Sequence, residues 1–198
     1  MQIHRLLTKD CPSGTGSDGL PYWFLKLIAP FICSPLSKLL NMYINNSFFP
    51  SQWKINIIHP TLKIKQPKNP SDYRPISITP ILSRIFEKFL VKQFIYPCLS
   101  LPNIKSSYDN QFAFCPSSST TSAIIYLTSI ITSLLDTNNF VHLISFDFSK
   151  AFDTLSHHAL VKNIASLPLP DNIYNLLFIF LTDRSPHSFL ILFLVLLK

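Results

Sequence analysis

The sequence predicts a mixed fold of the α/β or α+β class. Apolar residues make up 47% of the 198 residues and charged residues 14%, so the chain can bury a sizeable core. Segments with apolar residues at helical spacing alternate with short apolar runs typical of strands. The connections between these runs are long, which fits a sheet that carries helices on one face.

The N-terminal third predicts a loop, a helix and an extended segment in that order. Residues 1–20 are polar and contain all three glycines of the chain, which predicts a flexible loop. Residues 21–47 are mostly apolar and predict a helix that is interrupted near Pro30 and Pro35. Residues 53–64 predict an extended segment, followed by a polar loop over residues 66–74.

An amphipathic helix is predicted after this loop, with Thr79 as its cap and Pro80 at its first position. Its apolar face would carry Ile81, Leu82, Ile85, Phe86, Phe89, Leu90 and Phe94. Its polar face would carry Arg84, Glu87, Lys88, Lys92 and Gln93.

The second half of the chain predicts three more helices and a buried strand. Residues 97–118 are irregular, and residues 119–135 predict a helix. The inward side of that helix would carry Ala123, Ile124, Leu127, Ile131 and Leu134. Residues 141–146 predict a buried strand, and Ser156 and Asp171 would cap helices ending near residues 166 and 181. The apolar tail, residues 186–198, fits a strand slightly better than a helix.

Positive charge is concentrated in one part of the chain. The net charge is +7 and the isoelectric point is about 9.3, which favours a polyanionic partner. Fewer than 40 positions hold 8 of the 17 basic residues: Lys54, Lys63, Lys65, Lys68, Arg74, Arg84, Lys88 and Lys92. Only Asp72 and Glu87 oppose them there.

The cysteine spacing, the N-terminal sequence and the lengths of the apolar runs argue against a zinc-binding, a secreted and a membrane-spanning protein. The four cysteines are scattered without CxxC spacing, so we do not expect a zinc site. We expect the thiols to be reduced. No signal peptide is recognised, and we expect an intracellular protein of the nucleus or cytoplasm. The apolar runs at 176–181 and 189–197 are shorter than the roughly 18–20 residues of a membrane span. We therefore expect core segments, with a small membrane-associated protein anchored by the tail as an alternative.

Asp147 is the first candidate for a metal ligand. It lies at the end of the apolar run 141–145, in the octapeptide Phe-Asp-Phe-Ser-Lys-Ala-Phe-Asp at residues 146–153. A buried carboxylate is tolerated mainly where a partner or a metal neutralises it. A second carboxylate follows six residues later, in a chain with only 10 acidic residues. A metal ligand near basic residues indicates phosphoryl chemistry.

Four motifs together resemble the reverse transcriptase domain of non-LTR (LINE-type) retrotransposons. The octapeptide 146–153 resembles the first catalytic motif, and Ser-Asp-Tyr-Arg-Pro-Ile-Ser-Ile at 71–78 resembles the fingers motif. Gln-Phe-Ala-Phe-Cys-Pro-Ser-Ser-Ser-Thr at 111–120 resembles the segment between them. Gly-Ser-Asp-Gly-Leu-Pro at 16–21 is similar to the loop with which the domain begins. The motifs follow the family's order and cover roughly residues 15–185.

The resemblance implies a right-hand polymerase fold that is incomplete. After the flexible loop 1–20, residues 21–140 would form the fingers and residues 141–185 the first part of the palm. Residues 186–198 would be a divergent tail. Family members copy RNA into DNA with two divalent cations, Mg²⁺ or Mn²⁺. The expected partners are an RNA template, a DNA primer and deoxynucleotide triphosphates, and no membrane.

In the palm, the resemblance assigns roles to four residues of the motif at 146–153. Asp147 would be the catalytic carboxylate and metal ligand, and the backbone carbonyl of Phe148 would add a further ligand. The ring of Phe152 would lie under the incoming sugar and exclude a ribose 2′-hydroxyl. Asp153 would have a structural role as a cap.

In the fingers, the resemblance makes Lys63 and Arg74 the residues that hold the incoming triphosphate. Arginine offers a planar donor fork and lysine a mobile point charge. Lys65 and Lys68 would contact the template backbone, since a hybrid duplex is recognised largely by shape and phosphate. His157 and His158 are expected on the surface, because adjacent helical residues point in different directions.

The sequence also departs from the family. The second catalytic motif, an aromatic residue followed by Ala-Asp-Asp, does not occur in the 198 residues, and Cys115 stands where arginine is common. One carboxylate cannot hold two Mg²⁺ ions. We therefore expect a fragment without polymerase activity by itself, with a non-catalytic nucleic-acid-binding remnant as the alternative.

Overall fold

The computed structural model describes residues 2–8, 15–105, 110–113, 115, 118–147 and 156–182. These residues form eight α-helices and a two-stranded antiparallel sheet, which is a mixed fold as predicted. The helices are α1 (Gln2–Thr8), α2 (Tyr22–Asn45), α3 (Ile81–Leu90), α4 (Tyr96–Leu99), α5 (Pro102–Lys105), α6 (Thr120–Leu135), α7 (His157–Ala165) and α8 (Asp171–Leu181). The strands are β1 (Ile57–Leu62) and β2 (Tyr73–Ile78).

Helix α1 forms where the sequence predicted only a flexible loop. Ile3 and Leu7, one turn apart, are buried against the core. The helix packs against α2 and α3. Two apolar residues at helical spacing were enough to fix this short segment, and the polar composition around them concealed the pattern.

Helix α2 is continuous, so the predicted interruption near Pro30 and Pro35 was wrong. Both prolines lie inside the helix with exposed side chains. Each removes one backbone hydrogen bond. The opposite face is held by a row of buried residues that spans five turns: Leu25, Ala29, Leu36, Leu40 and Ile44.

By length and composition, α2 is the one helix among the described residues that is apolar enough to cross a membrane. Core helices and signal sequences share these properties, and 22% of its most apolar window is buried in protein. Helix α2 packs against α1 and α8, so one of its sides lies in the core.

Helix α3 lies at the centre of the core, and the predicted apolar residues are buried or half-buried. A π-helical turn, Val91–Ile95, joins it to α4. The prediction of Glu87 on the solvent side was wrong, since Glu87 is only 4% exposed. It accepts a 3.0 Å hydrogen bond from the Oγ of Ser83, which is also buried. The helix is enclosed on several sides, so helical periodicity alone misassigned this position.

Aromatic side chains fill the space between α2, α3 and α8. The ring of Phe86 is fully buried and stacks on Phe49 at 6.0 Å between centroids. Phe49 meets Phe180 of α8 edge to face at 4.9 Å, and Tyr43 and Trp53 also contact Phe86. This cluster ties the C-terminal helix to the first half of the chain.

Helix α6 forms as predicted, but its predicted inward side is not buried. Ser119 caps it, accepting a 3.1 Å hydrogen bond from the backbone N–H of Ser122. The helix buries none of its residues within the described structure, and Ile124 is 61% exposed.

The predicted buried strand at 141–146 is also absent from the described structure. Residues 141–147 are irregular, and Phe146 is 86% exposed. A strand needs a neighbour that satisfies its backbone groups, and the described residues offer no strand that pairs with this segment. The prediction of a buried strand here was therefore wrong for the described structure, in which the apolar side chains of Leu143, Ile144 and Phe146 are exposed.

The last two helices match the prediction closely. Ser156 precedes α7 without making a side-chain cap, and Asp171 is the first residue of α8 instead of its cap. Within 97–118, expected to be irregular, the short helices α4 and α5 occur. The tail 186–198 lies outside the described residues.

Candidate functional site

The hairpin of β1 and β2 sorts the candidate residues onto two faces. Pro60 lies opposite Pro75, and Thr61 lies opposite Arg74. The Lys63 N–H donates to the Asp72 carbonyl at 2.8 Å, which makes Lys63 and Asp72 a hydrogen-bonded pair. By alternation, the Pro60–Pro75 pair occupies a non-hydrogen-bonded position, where proline's missing N–H costs the ladder nothing.

One face carries the two residues predicted to hold a triphosphate. Directly opposite residues share a face, so Arg74 lies on the side of Thr61 and of Lys63, two residues further along. Diagonal neighbours of this kind have Cα atoms about 7–8 Å apart. Both side chains are exposed. The register therefore puts both predicted residues on one face of the hairpin.

Asp72 holds the loop between the strands in one conformation. Its Oδ2 accepts hydrogen bonds from the backbone N–H groups of Lys68 at 2.8 Å and Asn69 at 2.9 Å. These bonds lower the pKa of the Asp72 carboxyl below its ordinary value of 3.8, and Lys63 adds to the effect. The Lys63 Nζ donates to the Ser71 carbonyl at 3.0 Å. Sequence reasoning missed this role of Asp72, although Asn69 and Asp72 have capping-box spacing.

The opposite face of the hairpin forms an open groove of about 610 Å³. We call it the proline groove; its lining includes Pro60, Pro67, Pro70, Pro75, Tyr73 and Lys68. Lys65 is exposed in the same loop. The two predicted template contacts, Lys65 and Lys68, thus lie in the loop itself, and Lys68 borders this second face.

The N-terminal glycine motif packs on the helix that follows the hairpin. The Oδ2 of Asp18 accepts a 3.2 Å hydrogen bond from the backbone N–H of Ile81, the first residue of α3. Gly16 is buried, and a Cβ there would lie 2.7 Å from the Cα of Pro80. The Oγ of Ser17 donates to the Ile55 carbonyl at 3.1 Å.

Asp18 therefore supplies a cap for α3 from outside the helix. Pro80, predicted as the first helical residue, occupies the N-cap position in the structure, and the predicted cap, Thr79, precedes it. Residues 15–20 are also held by specific contacts, which corrects the prediction of a flexible loop for this part of the chain.

The candidate metal ligand Asp147 is not in a buried environment. It is exposed, and it follows the irregular segment 141–146 instead of a strand. The other predicted palm residues, Phe148, Phe152 and Asp153, lie outside the described residues. Within the described ranges, no three His, Cys, Asp or Glu side chains are grouped as metal ligands would be.

Three of the four cysteines lie in the part of the chain that the structure describes. Among the described residues, Cys33, Cys98 and Cys115 are free thiols. Burial raises the pKa of the Cys98 thiol, whose Sγ donates to the Pro168 carbonyl at 3.6 Å.

Comparison with known protein families decides the assignment. Residues 64–193, well over half of the chain, match the family described as reverse transcriptase (RNA-dependent DNA polymerase). The chain belongs to the reverse transcriptase family. Arg74, Lys65, Lys68 and Asp147 fall inside the matched range, and Lys63 immediately precedes it.

Three similar reverse transcriptases come from Drosophila melanogaster. The probable RNA-directed DNA polymerase from transposon BS is 29% identical over 150 residues, covering 75% of this chain and 16% of the relative. That from transposon X-element is 27% identical over 137 residues, covering 68% and 15%. The polymerase from mobile element jockey is 24% identical over 188 residues, covering 93% and 20%. The chain thus spans about a sixth to a fifth of the length of these relatives.

These matches confirm the family that the four motifs predicted, and the polymerase fold follows from the family. Reverse transcriptases as a family depend on divalent metal ions. The described residues do not fit a complete metal site, because Asp147 is exposed and no further acidic or histidine ligands are grouped with it.

Proposed function

We propose that this chain forms the fingers and the first part of the palm of an RNA-directed DNA polymerase. Residues 21–140 would be the fingers and residues 141–185 the beginning of the palm. The substrates would be an RNA template, a DNA primer and deoxynucleotide triphosphates. The observation that carries the proposal is the common face of Lys63 and Arg74 on a hairpin whose loop Asp72 anchors.

This face suits a triphosphate for electrostatic reasons. Lys63 and Arg74 are two cations on one face of the strand pair. Asp72 lies opposite Lys63, but its Oδ2 accepts two backbone hydrogen bonds within the loop, so a single, partly engaged carboxylate faces two cations. Arg74 can therefore present its planar fork, and Lys63 its point charge, to the same polyphosphate.

Equilibrium binding of deoxynucleotide triphosphates tests this assignment. We expect Arg74→Ala and Lys63→Ala each to weaken binding about 10-fold or more, since charge-assisted hydrogen bonds contribute roughly 1.5–3 kcal/mol. Arg74→Lys should restore part of the loss, because it keeps the charge but not the fork. Lys92→Ala, another exposed lysine of the basic region, is the matched control. Equal effects of Arg74→Ala and Lys92→Ala would reject the site.

Catalysis requires more than this face. In the proposed palm, Asp147 would hold the metal ion together with the backbone carbonyl of Phe148, and Phe152 would contact the sugar. The 198 residues contain no aromatic-Ala-Asp-Asp motif. We therefore expect this chain by itself to bind nucleotide without extending a primer.

A primer-extension assay on an RNA template, with Mg²⁺ and then Mn²⁺, tests that expectation. DNA synthesis that disappears in the Asp147→Ala variant would show that the chain is a working polymerase and contradict the proposal. Absence of synthesis together with intact nucleotide binding supports it.

A nucleic-acid-binding module without catalysis is the second candidate, favoured by the exposed Lys65 and Lys68 in the hairpin loop. It predicts salt-dependent RNA binding that falls when both lysines are replaced by alanine. RNA binding that is equal in that variant and in the unmodified chain would reject it.

A further inference from the structure

The proline groove lies on the face of the hairpin that the triphosphate proposal does not use. Tyr73 and Leu62 are opposite each other, as are Pro75 and Pro60, and these pairs project from the same side of the strands. Side chains approach most closely at non-hydrogen-bonded positions, so the proline rings and the phenol form one surface. The proline groove is therefore a second built surface, separate from Lys63 and Arg74.

The groove has the size and composition of a small-ligand site. Its volume of about 610 Å³ falls within the roughly 300–1,000 Å³ of such sites. Four of its lining residues are prolines and one is the half-buried Tyr73. Rigid rings of this kind offer flat apolar faces at a small cost in side-chain entropy. Such faces suit contact with a planar ring.

The charge around the groove favours a polyanion. Residues 54–76 carry five cations and one anion, Asp72. The Asp72 carboxylate is directed into the loop, where it accepts the backbone N–H groups of Lys68 and Asn69. The Lys68 side chain borders the groove, and Lys65 is exposed nearby. Planar rings carried on a chain of phosphates describe single-stranded nucleic acid.

We propose that the proline groove binds an unpaired nucleobase of a single strand, stacked on Tyr73, with the flanking phosphates held by Lys68 and Lys65. This inference rests on the proposed function only in that the partner is nucleic acid. It adds a stacking contact on the reverse side of the hairpin. The single strand and the triphosphate would then occupy opposite faces of the same two strands.

Binding of a 12-nucleotide oligouridylate to the full chain tests the stacking contact. Tyr73→Ala should weaken binding roughly 5- to 150-fold, which is the usual loss for one stacked base. Tyr73→Phe should bind like the unmodified chain, because the ring remains. Tyr73→Leu keeps apolar bulk without the ring and should lose most of the affinity, which also guards against a folding defect in the alanine variant.

An abasic 12-mer with the same number of phosphates separates stacking from charge. The abasic strand should bind the unmodified chain more weakly than oligouridylate does. Its affinity should be the same for the Tyr73→Ala variant as for the unmodified chain. Lys68→Ala should weaken both ligands and lower the slope of log K against log salt by about one.

Three outcomes would overturn the inference. The first is oligouridylate binding that is unchanged in Tyr73→Ala and Tyr73→Leu. The second is equal affinity for oligouridylate and the abasic strand. The third is binding of a tryptophan-containing peptide that depends on Tyr73 while oligouridylate does not bind. Nucleotide triphosphate binding, measured in the same Tyr73 variants, should be retained, so failure of this site and failure of the Lys63–Arg74 site give different results.

Discussion

Replacing Asp18 should destabilise α3 although Asp18 lies 63 positions away from the helix start. The carboxylate accepts the N–H of Ile81, one of the amides that a helix N-terminus leaves without an intrahelical partner. Loss of a side-chain cap costs about 1 kcal/mol, within a range of 0.5–2. The favourable position of a negative charge at the helix N-terminus adds about 0.3–1 kcal/mol. Together they predict a loss of about 1–2 kcal/mol for Asp18→Ala.

Urea unfolding and hydrogen exchange measure this effect. With a slope of about 2 kcal/mol/M, the unfolding midpoint of Asp18→Ala should fall by about 0.5–1 M. Asp18→Asn keeps one of the two acceptor oxygens, which serve Leu20 and Ile81, and loses the charge, so its midpoint should fall by less than that of Asp18→Ala. The Ile81 amide should exchange faster in the alanine variant.

Ser156→Ala is the matched control for Asp18, because Ser156 precedes α7 but forms no side-chain cap. Its midpoint should change little. The reasoning fails if Asp18→Ala and Ser156→Ala shift the midpoint equally, or if exchange at Ile81 is unchanged.

Three further predictions follow from burial and charge. Phe86→Ala removes a fully buried ring and should cost about 3–5 kcal/mol in urea unfolding, whereas Phe178→Ala, 45% exposed on α8, should cost clearly less; similar losses would contradict the described core. The lowered pKa of Asp72 means that its contribution to loop stability is present above pH 3.8 and is lost as pH falls through the still lower folded-state pKa. Amide NMR shifts of the two donors should follow that titration and should be flat in Asp72→Asn; titration at or above 3.8 would refute the sign. Ile124→Lys and Ile125→Lys, each more than 60% exposed on α6, should reduce dye binding to apolar surface with helix content unchanged, and a loss of helix content would show that this face is packed.

Local patterns predicted the elements whose causes are local. Apolar runs bounded by polar or proline-containing segments predicted an extended segment around β1 and, closely, the helices α7 and α8. Strand β2, Tyr73–Ile78, was not predicted, because the polar loop was expected to extend to residue 74. The continuity of α2 was not predictable in this way, because burial along one face outweighs two exposed prolines. The short helix α1 depends on the burial of Ile3 and Leu7 and on packing against α2 and α3, which is a tertiary effect.

The predicted inward side of α6 and the predicted strand at 141–146 are cases in which the local apolar pattern did not predict burial. Their apolar patterns are those of core elements, yet within the described structure they are exposed. A pattern states what a segment can bury and not which partner is present to cover it. The same holds for Asp147, whose predicted role assumed the end of a buried strand.

The candidate site was predicted in its chemistry and only partly in its geometry. The motif at 71–78 identified Arg74, and register then places it on the face of Lys63. The cap by Asp18 depends on a hydrogen bond from Ile81, 63 positions away, which sequence spacing does not show. The bonds to Asp72 come from Lys68 and Asn69 in its own loop, and the capping-box spacing of Asn69 and Asp72 is the local signal that could have predicted them.

The opposed prolines of the hairpin have a consequence for association between molecules. At a non-hydrogen-bonded position, the backbone N–H groups point outward, where another strand could attach to the pair. Pro60 and Pro75 remove one such donor from each outer edge. Lys63 and Arg74 add charge along the same strands. Each margin of this two-stranded ribbon is therefore a poor template for a strand from a neighbouring molecule, and the hairpin can expose both faces to ligands without promoting cross-β aggregation.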